Sequence, residues 1–135
     1  MRIFKFIICC SVALVLTSCH KKDDCAFEPL TEIIKVGKKY CIGSSEYLEI
    51  TKIEDSRCPR MVECFWEGNT VLYIDLYAHH TLHDAILDVP NTDQPVMFKD
   101  IFGYDITIRS IQPYPEGQEV ILQSAYRIGI SVVEK

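Results

Sequence analysis

The sequence predicts an all-β domain: an antiparallel β-sandwich, or a partly open barrel, of about seven to nine short strands braced by disulfides. Three observations predict it. Short runs of alternating apolar and polar residues recur along the chain, separated by Gly, Pro, Asn and Asp. No stretch carries a long helical period, and the best helix candidate is the short span from His79 to Leu87. Four cysteines, Cys25, Cys41, Cys58 and Cys64, remain once an N-terminal leader and its boundary cysteine are set aside.

The leader is residues 1–18. Arg2 and Lys5 form a basic start, Ile7 to Leu16 an apolar stretch, and Thr17, Ser18 and Cys19 follow, which is a secretory signal shape. The apolar run is shorter than the ~20 residues that span a bilayer as a helix. Leu16-Thr17-Ser18-Cys19 resembles the bacterial lipobox. The resemblance implies cleavage before Cys19 and lipidation of its thiol and new amino group, palmitate included. Each buried methylene adds ~0.8 kcal/mol, so several acyl chains tether the protein to a membrane without threading it through. Residues 19–29 are the tether and 30–135 the β-sandwich domain. Within the tether, Lys22-Asp23-Asp24 resembles the export signal of surface lipoproteins in some Gram-negative bacteria; the plainer reading is a solvated charge run. The expected location is the cell envelope of a Gram-negative bacterium, as an outer-membrane lipoprotein, surface-exposed if that signal acts.

Of the 14 basic residues, Arg2 and Lys5 leave with the leader, and all 19 acids stay, so the mature chain carries a formal charge of −7. No basic face is evident, which argues against a nucleic-acid partner. One domain's length remains, with a small core that cross-links would help. An even set of cysteines in an oxidising compartment reads as a disulfide framework. Four cysteines allow three connectivities. Cys58–Cys64 closes a short local loop, and Cys25–Cys41 would then pin the N-terminal segment to the first hairpin; loop entropy assigns these about 2 and 3 kcal/mol. A four-thiolate zinc site is the rival, but gaps of 15, 16 and 5 residues lack C-x-x-C knuckles.

The strands follow in order. Glu32–Val36 ends at Gly37, and Lys39–Ile42 ends at the Gly43-Ser44-Ser45 turn. Tyr47–Ile53 places Leu48 and Ile50 at period two. Thr70–Tyr77 is β-branched and aromatic. Ala85–Val89 and Val96–Phe98 flank Pro90-Asn91-Thr92-Asp93. Tyr104–Ser110 alternates, Pro113 to Gly117 is a turn, and Tyr126–Val132 alternates again with Arg127 and Ser131 opposite its apolar positions.

Between the third and fourth strands lies Asp55-Ser56-Arg57-Cys58-Pro59, then Cys64, Trp66 and Gly68. Pro59 cannot donate to a ladder, so the strand stops or lies at a sheet edge there. Asp55 and Arg57 are placed to brace the loop through charge-assisted hydrogen bonds. If Cys64–Glu67 is extended, Cys64 and Trp66 share a face, with Trp66 covering the disulfide or the core. This segment, D-S-R-C-P-x-x-x-x-C-x-W-x-G, resembles small, largely uncharacterised bacterial envelope lipoproteins. So does the tail, with its Pro113-Tyr114-Pro115 turn and Tyr126 opening the last strand. The resemblance implies an all-β lipoprotein domain with a short disulfide and brings no activity with it.

For catalysis the sequence offers little. Ile42-Gly43-Ser44-Ser45 lacks the G-x-S-x-G elbow, and oxidised cysteines are not thiolates. No enzyme activity and no cofactor are expected. His79, His80 and His83 are the metal candidates: on a helix His79 and His83 would share a face at i, i+4, while in a loop they are simply solvated. Tyr73, Tyr77, Tyr104, Tyr114 and Tyr126 would either pack in the sheets or line a ligand face. The expected function is a lipid-anchored extracytoplasmic binding or accessory module. Its partners would be the membrane, through the anchor, and an envelope protein, peptide or glycan; the oligomeric state is open. The alternatives are a protease inhibitor presenting the Cys58–Cys64 loop and a metal-binding protein using the His79–His83 cluster.

Overall fold

The computed structural model describes residues 30–135. The leader, Cys19, the tether and Cys25 lie outside the described residues. Eight strands follow: β1 (Leu30–Lys35), β2 (Lys39–Cys41), β3 (Tyr47–Asp55), β4 (Asn69–Ala78), β5 (Thr81–Pro90), β6 (Val96–Ile101), β7 (Tyr104–Gln112) and β8 (Arg127–Glu134). They form two antiparallel four-stranded sheets, ordered β1-β8-β7-β6 and β2-β3-β4-β5. The sheets stack as a sandwich and do not close into a barrel.

Alternation decides which side chains meet between the sheets, because successive strand residues point to opposite faces. On β4, Leu72, Ile74, Leu76 and Ala78 are buried, while Val71, Tyr73, Asp75 and Tyr77 face outward and are half-buried. On β8, Ile128, Ile130 and Val132 turn inward and meet β7 through Ile106, Ile108 and Ile111. A bulge in β3 after Ile50 carries both Thr51 and Lys52 to the outside before Ile53 returns to the core. Each fully buried Leu or Ile contributes about 1.5–3 kcal/mol, so these two faces hold the fold together.

The helix candidate at His79 to Leu87 is overturned. His79 and His80 are the two-residue turn of the β4–β5 hairpin, and the rest of the span is β5. Both turn residues have positive φ, 51° and 63°, the pattern of a type I′ turn that follows the strand twist. Ala85, Leu87 and Val89 of β5 turn inward at period two, and that burial outweighs the i, i+4 spacing of two histidines.

The register defines two ends. Asp55, Asn69, Gln112 and Arg127 lie at one, with the Cys58–Cys64 loop. Tyr47, the His79–His80 turn, the Ile101–Tyr104 turn, Glu134 and Leu30 lie at the other.

Candidate functional site

At the disulfide end, Asp55 closes β3 and Arg57 follows two residues later, close enough for their side chains to meet over one turn of backbone. Arg57 Nε donates to Asp55 Oδ1 at 2.8 Å and Nη2 to Oδ2 at 2.6 Å. The pair is buried, with side chains only 7% and 5% exposed. A charge in such a place needs further partners, and it has them. Arg57 Nη1 donates to the Ile111 carbonyl at 2.8 Å and Nη2 to the Pro113 carbonyl at 2.9 Å, both at the end of β7. Asp55 Oδ2 accepts the Tyr126 hydroxyl at 3.0 Å, and Oδ1 accepts the Thr70 hydroxyl at 3.5 Å. Among the described residues no buried side-chain nitrogen or oxygen lacks a partner.

Burial disfavours the Asp55 carboxylate, but hydrogen bonds from the Arg57 side chain and backbone, the guanidinium charge and the Tyr126 hydroxyl outweigh it and hold the carboxyl below its ordinary value. Burial first, then the Asp55 charge, pushes Tyr126 up to about 12. The network therefore joins β3, β4, β7 and β8, drawing residues from both sheets.

Tyr114 is a second hub. Its ring lies 4.7 Å from the Arg57 guanidinium and 5.1 Å from that of Arg60. Its hydroxyl donates to the Cys58 carbonyl at 2.9 Å and accepts from Asn91 Nδ2 at 3.0 Å. Cys58 and Cys64 are joined, with Cα atoms 6.0 Å apart. Within that loop Val62 N–H returns to the Pro59 carbonyl at 3.1 Å, a β-turn. Arg60 and Met61 donate their backbone N–H groups to the carbonyls of Pro115 and Glu116, at 3.1 and 3.0 Å, and Arg60 pairs with Glu116 at 2.9 Å. The exit is Gly68, at φ 78°; a Cβ there would meet the Ser56 carbonyl oxygen at 2.0 Å, so only glycine fits.

The expected cover by Trp66 is overturned. Trp66 is 64% exposed, and Phe65 beside it is fully exposed. Cys64–Glu67 is not extended, so the alternation that put Cys64 and Trp66 on one face does not operate. The buried role in this segment falls to Arg57 instead. Met61, Phe65 and Trp66 project into solvent, as do Val120 and Leu122 of the neighbouring loop. A shallow groove between the two loops is lined by Pro59, Pro115, Val120 and Ile121, with Arg57 and Tyr126 beside them.

At the opposite end, Glu46 joins the sheets. One carboxylate oxygen accepts the His79 backbone N–H at 2.9 Å and the other accepts the Tyr104 hydroxyl. These bonds, the His79 amide first, hold the Glu46 carboxyl below its ordinary value, and burial followed by Glu46 pushes Tyr104 up. His83 stacks on Phe102 with ring centroids 4.2 Å apart. The three histidines do not converge, and among the described residues no group of three His, Cys, Asp or Glu side chains is placed to hold a metal ion. Cys41 is disulfide-bonded; the pairing of Cys25 lies outside the described residues.

The five tyrosines weighed as a ligand face, of seven in the chain, split between core and surface. Tyr104 and Tyr126 are buried. Tyr73 and Tyr77 lie on the outer face of the β2–β5 sheet, where Tyr77 stacks on Tyr47 at 5.3 Å. Thr70, Asn91, Gln123 and the carbonyls of Ile111 and Pro113 were not singled out by the sequence; nothing local marks a residue whose partner is 15 to 70 positions away. Comparisons with protein-family models, with curated proteins and with solved structures find no match for this chain.

Proposed function

We propose that this chain is a lipid-anchored binding or accessory module of a Gram-negative envelope, held through Cys19, which presents its disulfide end to a partner protein with an apolar surface. The reading is non-enzymatic. One observation carries it: Met61, Phe65 and Trp66 are exposed on a loop held by a disulfide, a buried ion pair and two backbone hydrogen bonds to the adjacent loop. Apolar side chains held rigid in solvent lose little entropy on binding, and aromatic anchors supply much of the energy of protein interfaces. The chain's direction agrees. Leu30, where the described fold begins, lies at the histidine end, so a tether from Cys19 meets the domain opposite the exposed loop.

The inhibitor alternative has less support. A protease cleft takes an extended strand, and here Pro59–Val62 is a tight turn whose Arg60 is engaged by Glu116 and Tyr114. The metal alternative needs convergent ligands, and His83 is stacked on Phe102.

The test is site-specific photocrosslinking in intact cells. A photoreactive residue at position 66 should give a discrete envelope adduct, absent when the same residue stands at position 32 on β1. Equal adducts from both positions would remove the disulfide end as the binding surface. Cys19→Ala should release the protein from membranes; retention of that variant would remove the anchor.

A further inference from the structure

The two sheets end in four edge strands: β1, β6, β2 and β5. Open edges invite pairing with another chain, and proteins blunt them with short strands, bulges, charges or covering groups. β2 has three residues, and the part of β3 it leaves uncovered is closed by Gln123, whose side-chain amide bonds both the N–H and the C=O of Ile53 at 2.8 Å. β6 is broken by an irregularity after Phe98, with Asp100 at φ 57°. β1 has six residues, carries Glu32 and Lys35, and gives its Lys35 N–H to the Tyr40 hydroxyl at 2.9 Å.

β5 lacks these devices apart from the charges of Asp84 and Asp88. Its ten residues pair with β4 without a bulge, it contains no Lys or Arg, and its single proline is its last residue. The two-residue turn makes Ala78 and Thr81 the first hydrogen-bonded pair, so bonding to β4 falls on Thr81, His83, Ala85, Leu87 and Val89. The N–H and C=O groups of Leu82, Asp84, Ile86 and Asp88 therefore point away from β4, along the open edge. The same four side chains are exposed on the outer face of the sheet.

That face has an order of its own. Rows of directly opposed residues run across β3, β4 and β5: Tyr47–Tyr77–Leu82, then Glu49–Asp75–Asp84, then Lys52–Tyr73–Ile86. Like charges directly opposite one another destabilise a sheet. Among the described residues, the carboxylates of Glu49, Asp75 and Asp84 have neither a hydrogen bond nor an ion pair. Lys39 of β2 stands directly opposite Glu49 in that row, but its ammonium is turned to the flanking Tyr47, 4.3 Å from the ring and 3.3 Å from the hydroxyl, and Lys52 Nζ lies 5.1 Å from the Tyr73 ring.

We infer that the free edge of β5 takes up an extended strand from a basic partner, whose outward side chains alternate apolar and cationic in step with Leu82, Asp84, Ile86 and Asp88. The backbone groups of those four residues supply the ladder. Leu82 and Ile86 meet apolar side chains, and a Lys or Arg beside Asp84 completes the row of unneutralised carboxylates. A second copy of this chain fits less well, because its own β5 brings two more aspartates and no cation to the joint. The inference concerns a different surface from the disulfide end and stands whether or not that end binds a partner.

The experiment uses the full-length protein in detergent and two synthetic ten-residue peptides. One alternates Thr with Val, Lys, Ile, Lys and Val; the other has Glu for Lys. The Lys peptide should slow hydrogen exchange at least tenfold at the amides of Leu82, Asp84, Ile86 and Asp88 and leave β1 amides unchanged, and its affinity should fall with salt. Ile86→Pro removes an outward N–H that β4 does not use, so that variant should keep its melting temperature and lose the protection. In Asp84→Lys/Asp88→Lys the preference should move to the Glu peptide, a readout that holds even if the proline variant does not fold. Equal protection by both peptides, protection elsewhere, or none would overturn the inference. So would a dimer whose β5 amides are already protected without peptide, which would make the occupant a second copy.

Discussion

The two ends of this sandwich are joined across the sheets by the same device, a carboxylate meeting a tyrosine hydroxyl, in opposite surroundings. At the disulfide end Asp55 meets Tyr126 beside a buried guanidinium, and the adjoining loop is cross-linked. At the histidine end Glu46 meets Tyr104 with no guanidinium beside it, only the weaker pull of the His79 and His80 imidazoles, and the chain around it holds four non-glycine residues at positive φ: His79, His80, Asp100 and Phe102. Left-handed backbone costs an ordinary residue about 1–2 kcal/mol. One end thus fixes an irregular loop by charge and covalent closure, while the other keeps tight turns at the cost of strain. The difference teaches that covalent and ionic bracing is concentrated at the loop that exposes Met61, Phe65 and Trp66, not where the chain is most tightly turned.

The sharpest way to break this comparison is at the buried ion pair. Arg57→Ala leaves the Asp55 charge without its main partner, and removing one member of a buried pair costs about 3–5 kcal/mol. Chemical denaturation should show that loss, and a variant within about 1 kcal/mol of wild type would mean the pair behaves as a surface one. The pair also sets an acid dependence. Asp55 has a folded-state pKa below its unfolded value, so its contribution is complete above the ordinary Asp range near ~4 and is lost as pH falls through that range toward the folded value. Melting temperatures between pH 6 and pH 2 should fall less steeply in Asp55→Asn, from a lower starting point, with Glu46 supplying the remaining slope in the same direction.

Removing the cross-link is the next largest effect. Cys58→Ser/Cys64→Ser frees a short loop, worth about 2 kcal/mol in the unfolded chain by loop entropy, while Arg60–Glu116 and the two backbone bonds to the neighbouring loop remain. Thermal melts should show that loss; Arg57 variants should lose more. A double-cysteine variant as unstable as Arg57→Ala would make the disulfide, not the ion pair, the main brace.

Relieving strain at the other end should act in the opposite direction. His79→Asn/His80→Gly supplies the residues a type I′ turn prefers and keeps the His79 amide bond to Glu46, so stability should rise by about 1 kcal/mol. A fall would show that the imidazoles make contributions that outweigh the strain. The smallest effect belongs to the exposed aromatics. Phe65→Ala and Trp66→Ala should each stay within about 0.5 kcal/mol of wild type, as exposed substitutions do, while Phe65→Ala weakens the envelope adduct formed from position 66. A large loss of stability at Trp66 would put its ring back against the fold.

Most strands were legible because burial on one face imposes period two, as Leu48 and Ile50 on β3 or Ile128, Ile130 and Val132 on β8 demonstrate. β5 was read only in part, because its hairpin turn is His79-His80 and not the Asn-Gly that announces a type I′ turn. An extended Cys64–Glu67 puts Trp66 on the disulfide face, but the chain bends at Phe65 and Trp66 themselves. The Asp55–Arg57 brace was legible as a pair two residues apart, but its carbonyl and tyrosine partners were not.

By itself the sequence determined what local chemistry can decide. Strand periodicity, the break between β3 and β4 and the spacing that lets Asp55 reach Arg57 all act within a few residues, where backbone geometry leaves few choices. Only the tertiary structure decided which side of that loop is buried, that Tyr126 and Tyr104 turn inward to carboxylates, and that β5 ends its sheet with an open edge. Those outcomes depend on which strands become neighbours. The free energy that selects the neighbours comes from burying two faces against each other, a sum over residues far apart in the chain.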